Sequence, residues 1–224
     1  MSDIAVFGAG GRAGRAITAE ARSRGHRITA VVRDPARHPG LAADGVRVVA
    51  GDVRDAAAVA AILPGHDAAV STVTPASGPE ALAQLGQLDE RFFVTAVDAL
   101  LAGMTATGVS RLVVIGLFAN LLDEHGRMVL DDPAAFPPEL RPFALAHTAG
   151  LDRLRAAQTP VDWLVLTPPA GLTPDGPRTG RYRTGGDRVP EPGSESLSYA
   201  DLAVAVVDEI ENPRHHRTRI SVFR

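Results

Sequence analysis

The chain contains no cysteine and no lysine; all 23 of its basic side chains are arginine. The first absence excludes thiol nucleophiles, disulfide frameworks, iron–sulfur ligation and zinc sites that need thiolates. The second excludes Schiff-base lysines, the phosphate-binding lysine of a Walker A loop and any Tyr-x-x-x-Lys dyad. Aromatic residues are scarce, and only two are tyrosines. Tyr182 and Tyr199 have Gly186 and Ala203 four positions on, so neither has a basic residue at the dyad spacing. No apolar run approaches the roughly 18 residues that span a bilayer. The formal net charge of −3 offers no basic stripe for nucleic acid. The expectation is a protein with neither membrane nor nucleic-acid partners. Its first apolar run begins at Ile4, which leaves no room for a signal peptide and points to the cytoplasm.

Present instead is an alternation of short β-branched runs with alanine-rich helical stretches, the pattern of a parallel sheet covered on both faces. Strands are expected at Ile4–Phe7, Ile28–Val32, Val46–Val49, Ala68–Thr72, Leu112–Ile115, Trp163–Leu166 and Ile220–Phe223. Helices are expected at Arg12–Arg24, with Gly25 as its stop, and at Ala56–Leu63, Gln84–Thr107, Leu140–Ala157 and Ala200–Glu211. Ser198 precedes the last of these as an N-cap, with Asp201 three residues on. The fold class is therefore α/β: a Rossmann-type doubly wound parallel sheet in a single domain over 1–224. Two long segments, 117–138 and 168–196, each follow the carboxyl end of a strand. Open α/β sheets bind ligands at those ends, so both are expected to form the substrate side.

The first strand runs into Gly8-Ala9-Gly10-Gly11-Arg12-Ala13-Gly14 and then a helix. Glycine suits a sharp turn whose N–H groups a pyrophosphate must approach at a helix N-terminus. Two dinucleotide fingerprints overlay there, Gly8-x-Gly10-x-x-Ala13 and Gly8-x-x-Gly11-x-x-Gly14. A tight turn without a ligand is the bland alternative. The second strand ends in Arg33, where an acid would accept from the ribose of NAD and an arginine suits the extra phosphate of NADP. Arg12, Arg37 and His38 could assist, so NADP(H) is preferred over NAD(H); a merely solvated Arg33 is the alternative. Asp52 and Val53 end the third strand, where Asp52 would meet the adenine amino group or cap the next helix. Thr72, Val73 and Thr74 end the fourth, beside the expected nicotinamide ribose, and Gly116 ends the fifth.

With these segments placed, the chain resembles the atypical short-chain dehydrogenase/reductases, specifically the NmrA-like, NAD(P)H-binding proteins of the NADH-flavin-reductase-like group. The resemblance also rests on Val32-Arg33-Asp34-Pro35, Gly51-Asp52-Val53-Arg54-Asp55, Arg178-Thr179-Gly180-Arg181-Tyr182-Arg183 and Leu197-Ser198-Tyr199-Ala200-Asp201. It implies hydride delivery from a bound nicotinamide to a flavin, quinone or similar small conjugated acceptor. It equally admits a non-catalytic dinucleotide sensor, or an epimerase or dehydratase that uses the nucleotide internally. Relatives tend to have a glycine-rich turn and a small polar residue after strand five. Leu117 and Phe118 stand there instead and would reshape the acceptor space.

His147 is the candidate proton donor, lying on the helix after strand five, where this superfamily presents its catalytic face; a helical histidine bonded to a carbonyl is the alternative. Arg178, Arg181, Arg183 and Arg188 crowd one loop and would bind an anionic substrate group, unless they form a salt-bridged loop. Pro168 and Tyr182 join Leu117, Phe118, Arg178 and Arg181 as candidate substrate contacts. Adjacent His215 and His216 point apart on extended chain, so no metal site is expected. Monomer and homodimer both remain open.

Overall fold

Alternate residues of a strand face opposite sides of the sheet, and in the central strands both sets are mainly apolar. That pattern requires a layer of helices on either side. The computed structural model describes residues 1–75, 88–190 and 196–224. Its main sheet contains β1 (Asp3–Phe7), β2 (Arg27–Val32), β3 (Val46–Ala50), β4 (Ala68–Ser71), β5 (Arg111–Ile115) and β6 (Asp162–Thr167). Beyond β6 lie β10 (Thr218–Phe223) and β8 (Arg183–Gly185), in the order β3-β2-β1-β4-β5-β6-β10-β8. All neighbours are parallel except β8, which runs antiparallel to β10. This is a Rossmann-type sheet, and its order reverses between β1 and β4.

Helices α1 (Arg12–Ser23) and α5 (Tyr199–Glu211) cover one face, burying Ile17, Leu202 and Val206 against Ile4, Val70, Leu164 and Ile220. The other face carries α2 (Ala56–Ile62), α3 (Phe92–Thr107) and α4 (Arg141–Ala156), with Leu100, Leu151 and Trp163 in a second cluster. Gly25 ends α1 in the left-handed region at φ 83°, and Ser198 accepts from the Asp201 amide at the start of α5. Both caps agree with the sequence reading.

Three differences have local causes. The expected helix at Gln84–Thr107 begins at Phe92, because the Asp89 carboxylate and carbonyl bind the Arg91 and Phe92 amides in a turn that starts it there. Residues 84–87 of that expected helix lie outside the described residues. Short strands β7 (Gly171–Thr173) and β9 (Ser196–Ser198) pair in parallel, and β8 joins the main sheet, so segment 168–196 contains more regular structure than its Pro and Gly content indicated. Segment 117–138 contains two 3-10 turns, Phe118–Asn120 and Val129–Asp131, and packs Ala119 and Leu130 against Ala144 of α4.

Arginine does the buried ionic work. Arg111, 6% exposed at the start of β5, donates to the Glu209 carbonyl at 3.1 Å and its carboxylate at 2.9 Å. It also donates to Asp162 Oδ2 at 2.9 Å and the His215 carbonyl at 3.0 Å. These four bonds join β5, β6, α5 and the segment before β10, and only a planar fork of donors can make them together. Arg111→Lys keeps the charge but cannot span these acceptors. It is expected to lower stability by about 1–3 kcal/mol, measured by urea unfolding. An unchanged midpoint would contradict the assignment.

Candidate functional site

A cleft lies over the carboxyl ends of β1, β2, β3 and β4, lined by Gly8, Gly10, Gly11, Arg33, His38, Asp52, Val53, Thr72, Val73, Thr74 and Phe92. Its floor is the turn from β1 into α1. Gly8 sits at φ 82°, and the Thr72 hydroxyl donates to the Phe7 and Gly8 carbonyls, joining the ends of β1 and β4. A Cβ on Gly14 would lie 2.3 Å from the Gly8 carbonyl oxygen, so this glycine lets the helix press against the strand end. By that packing Gly14, not Ala13, takes the close-packing role; a Cβ on Gly10 would meet the His38 ring at 2.4 Å, while Gly11 has room for one.

Gly11 is the N-cap of α1 and supplies no side-chain cap. The amides of Arg12, Ala13 and Gly14 open the helix and precede its i→i−4 ladder, whose first bond is Arg15 to the Gly11 carbonyl at 2.9 Å. A helix end bare of side chains, at the rim of a cleft, is a cradle for a pyrophosphate. On this geometry the residues present fit a nicotinamide dinucleotide.

Around the cleft the polar groups divide into committed and uncommitted. Asp52 receives two bonds from the Arg54 guanidinium, at 3.2 and 2.8 Å, and one from its amide. That guanidinium holds the Asp52 carboxyl below the usual carboxylate range. The helix-capping alternative for Asp52 does not hold: Asp55 caps α2, accepting from the Ala57 and Ala58 amides. His38 packs over Gly10 and contacts Arg15 at 3.3 Å. Arg33, Arg12 and Arg37 are exposed and make no side-chain hydrogen bond or ion pair among the described residues; of the three, only Arg33 lines the cleft.

The expected substrate contacts are not brought to this cleft. Arg178 spans both carboxylate oxygens of Glu20 on α1, at 2.6 and 2.8 Å, and Tyr182 donates to Asp208 on α5 at 2.6 Å. Thr179 and Gly180 bind the buried Asp201 carboxylate through two amides and a hydroxyl. The Arg-Thr-Gly-Arg-Tyr-Arg stretch is thus a strap across α1 and α5, the salt-bridged alternative for Arg178. Arg183 stacks on Phe223, Arg188 donates to the Asp123 carbonyl, and Arg181 is exposed. Pro168 is buried, and neither it nor Phe118 lines the cleft. His215 and His216 bind separate carboxylates, Glu209 and Asp162.

A second recess lies beside β5 and β6, lined by Phe93, Gly116, Leu117, Asn120, His147, Thr167 and Arg219. His147 is stacked against Phe93, with ring centroids 3.9 Å apart, and edge-on to Phe143 at 5.4 Å. It has no hydrogen-bond partner among the described residues, so the carbonyl-bonded alternative is not what stands there. Burial pushes its imidazole down to about 3, which keeps it neutral near pH 7. Asn120, Thr167 and Arg219 were absent from the expected site. The buried arginine in a strand of otherwise apolar character was the available sequence signal.

The family model for NAD(P)H-binding proteins matches residues 8–213. The uncharacterized protein YwnB of Bacillus subtilis is 35% identical over 222 residues, covering 98% of this chain and 97% of YwnB. The crystal structure of SP1627 from Streptococcus pneumoniae, described as a "putative NADH-flavin reductase", aligns at 30% identity and a TM-score of 0.80, covering all of both chains. A "putative exported protein" from Burkholderia pseudomallei aligns at 36% identity and the same TM-score, again over the whole of both chains. No helix among the described residues is long and apolar enough to cross a membrane.

The depressed His147 sets a pH dependence. In the unfolded chain its pKa returns to about 6.5, so between there and about 3 the unfolded state binds the extra proton and acid destabilises the fold. Relative to His147→Leu, the native protein is expected to lose up to about 1.4 kcal/mol per pH unit across that window. Parallel stability curves for the two proteins would contradict the neutral assignment.

Proposed function

The chain belongs to the NAD(P)H-binding family, and on that premise we propose that it is a reductase that oxidises NADPH and passes the hydride to a flavin, quinone or similar small conjugated acceptor. The observation that carries this reading is the bare N-terminus of α1 opening onto a cleft rimmed by an uncommitted arginine. Gly11, with the amides of Arg12 and Ala13, would hold the pyrophosphate. Val53 and Asp52 would border the adenine, and Thr72, Val73 and Thr74 the nicotinamide ribose. Arg33, with His38 behind it, would receive the 2′-phosphate, which supports NADPH over NADH. The bound dinucleotide supplies the hydride.

What the protein's own residues contribute is orientation and exclusion of water. With no lysine in the chain and His147 held neutral among phenyl rings, no strong acid–base pair stands ready among the described residues for alcohol–ketone chemistry. Hydride transfer to a conjugated acceptor needs none, because solvent can deliver the remaining proton. SP1627 carries a flavin-reductase name, and its similarity to this chain supports the same acceptor class. A cytoplasmic location, with a supply of reduced dinucleotide, suits this role.

Loss of NADPH absorbance in the presence of FMN, FAD or a naphthoquinone is the expected outcome. No turnover across such a panel, with NADPH still bound, would replace the reductase reading by dinucleotide sensing. Arg33→Ala is expected to raise the KM for NADPH about tenfold or more, by loss of a charge-assisted bond, while the KM for NADH stays nearly unchanged. Equal effects on both cofactors would remove Arg33 from the 2′-phosphate site.

A further inference from the structure

Four buried side-chain polar atoms lack a hydrogen-bond partner among the described residues: Thr18 Oγ1, Ser221 Oγ, Thr167 Oγ1 and Asn120 Oδ1. The last two belong to residues that line the second recess. Thr167 ends β6 and Ser221 is its register partner on β10, so their side chains share a face of the sheet. Arg219 lies two residues before Ser221, on that same face. Its side chain is 4% exposed, with Nε on Asp187 and Nη1 on the Asn120 carbonyl, each at 2.7 Å. Those two bonds leave Nη2 outside both. Native proteins seldom leave buried polar groups unpaired, and such groups need a reason.

Asn120, Thr167 and Arg219 line the second recess, and His147, itself without a hydrogen-bond partner, faces it from α4. Gly116 keeps the space open, since a Cβ there would lie 2.4 Å from Thr167 Oγ1. The recess measures about 30 Å³. That is room for a water or another group of that size, such as a carbonyl oxygen. A smaller gap lies between it and the cofactor cleft. This gap of about 20 Å³ shares Val73 with the cleft, and shares Phe93, Val97, Val114 and Ile115 with the recess.

We propose that this recess takes the acceptor's oxygen, and that the acceptor is a quinone or another compound whose carbonyl is conjugated to the carbon receiving the hydride. The assignment rests on the reductase reading. In the reaction the C–H bond of the reduced nicotinamide breaks and a C–H bond forms on the acceptor carbon. The displaced π pair moves through the conjugated system onto oxygen, leaving an oxyanion and an oxidised dinucleotide. Solvent then supplies the proton. A buried guanidinium, the Thr167 hydroxyl and the Asn120 amide, turned so that its Nδ2 takes the place of the unpaired Oδ1, stabilise that oxyanion more than the neutral carbonyl it came from. Before the acceptor arrives, one water fits the same partners.

The test uses 4-nitrophenol, whose ionised form mimics the oxyanion and is visible by its absorbance. Titrated into the full chain with NADP⁺ present, it is expected to bind as the phenolate. Thr167→Val and Asn120→Ala are each expected to weaken that binding about tenfold, the loss of one hydrogen bond to a charged oxygen. Thr167→Val should keep or raise the melting temperature, because it removes an unpaired buried hydroxyl; a merely structural threonine would lower it. No phenolate binding, or equal binding by both variants and the native protein, would overturn the proposal. Turnover of 1,4-naphthoquinone measured in parallel separates the two readings. Phenolate binding without turnover keeps the oxygen site and removes the reductase. Turnover without phenolate binding keeps the reductase and removes the oxygen site.

Discussion

The first turn of α1 presses on the end of β1 so closely that no side chain fits at position 14, where a methyl group would meet the Gly8 carbonyl at 2.3 Å. The candidate cofactor site depends on this contact. It aims the opening amides of α1 at the carboxyl edge of the sheet, next to where the strand order reverses between β1 and β4. Gly8 can then turn at positive φ, and the Thr72 hydroxyl ties the ends of β1 and β4 beneath the cleft. The adjoining recesses continue from there along the ends of β4, β5 and β6.

Around that frame, the arginines of a chain without lysine differ in their commitments. One set is structural and saturated. Arg111 is held by Glu209 and Asp162, Arg24 by Glu20, Asp208 and Glu211, and Arg178 by Glu20. These pairs fasten α1, α5 and the strap 178–183 to one another, and a guanidinium suits them because its donors form a rigid fork. Arg33 at the cleft has no side-chain hydrogen bond or ion pair among the described residues. Arg219 at the recess pairs with Asp187 through Nε and with the Asn120 carbonyl through Nη1, and Nη2 lies outside both bonds.

Much of this frame was legible in the sequence. The seven strands first expected are present, because a strand buried on both faces reads as a continuous apolar run, and Gly25 and Ser198 bound their helices as their chemistry requires. The glycine loop was legible for the same reason: turn, cleft and close packing are local demands. Partner choice was not legible. Whether Arg178 meets a substrate or Glu20 depends on a residue 158 positions away in sequence. Asp52 reads as a cap candidate in the sequence, but the backbone gives that place to Asp55. His147 titrates ordinarily on paper, and only the packing of Phe93 and Phe143 around it shows the burial that pushes it down. The short strand β8 has no periodicity to announce it; its pairing with β10 is what makes it a strand.

The central claim is that the bare end of α1 is a dinucleotide site. A crystal structure of the protein with NADP⁺ tests it most directly. The pyrophosphate is expected against Gly11, accepting from the Arg12 and Ala13 amides, with the 2′-phosphate beside Arg33. A dinucleotide bound elsewhere, or the same cleft left without it at saturating NADP⁺, would show that the end of α1 is not the dinucleotide site.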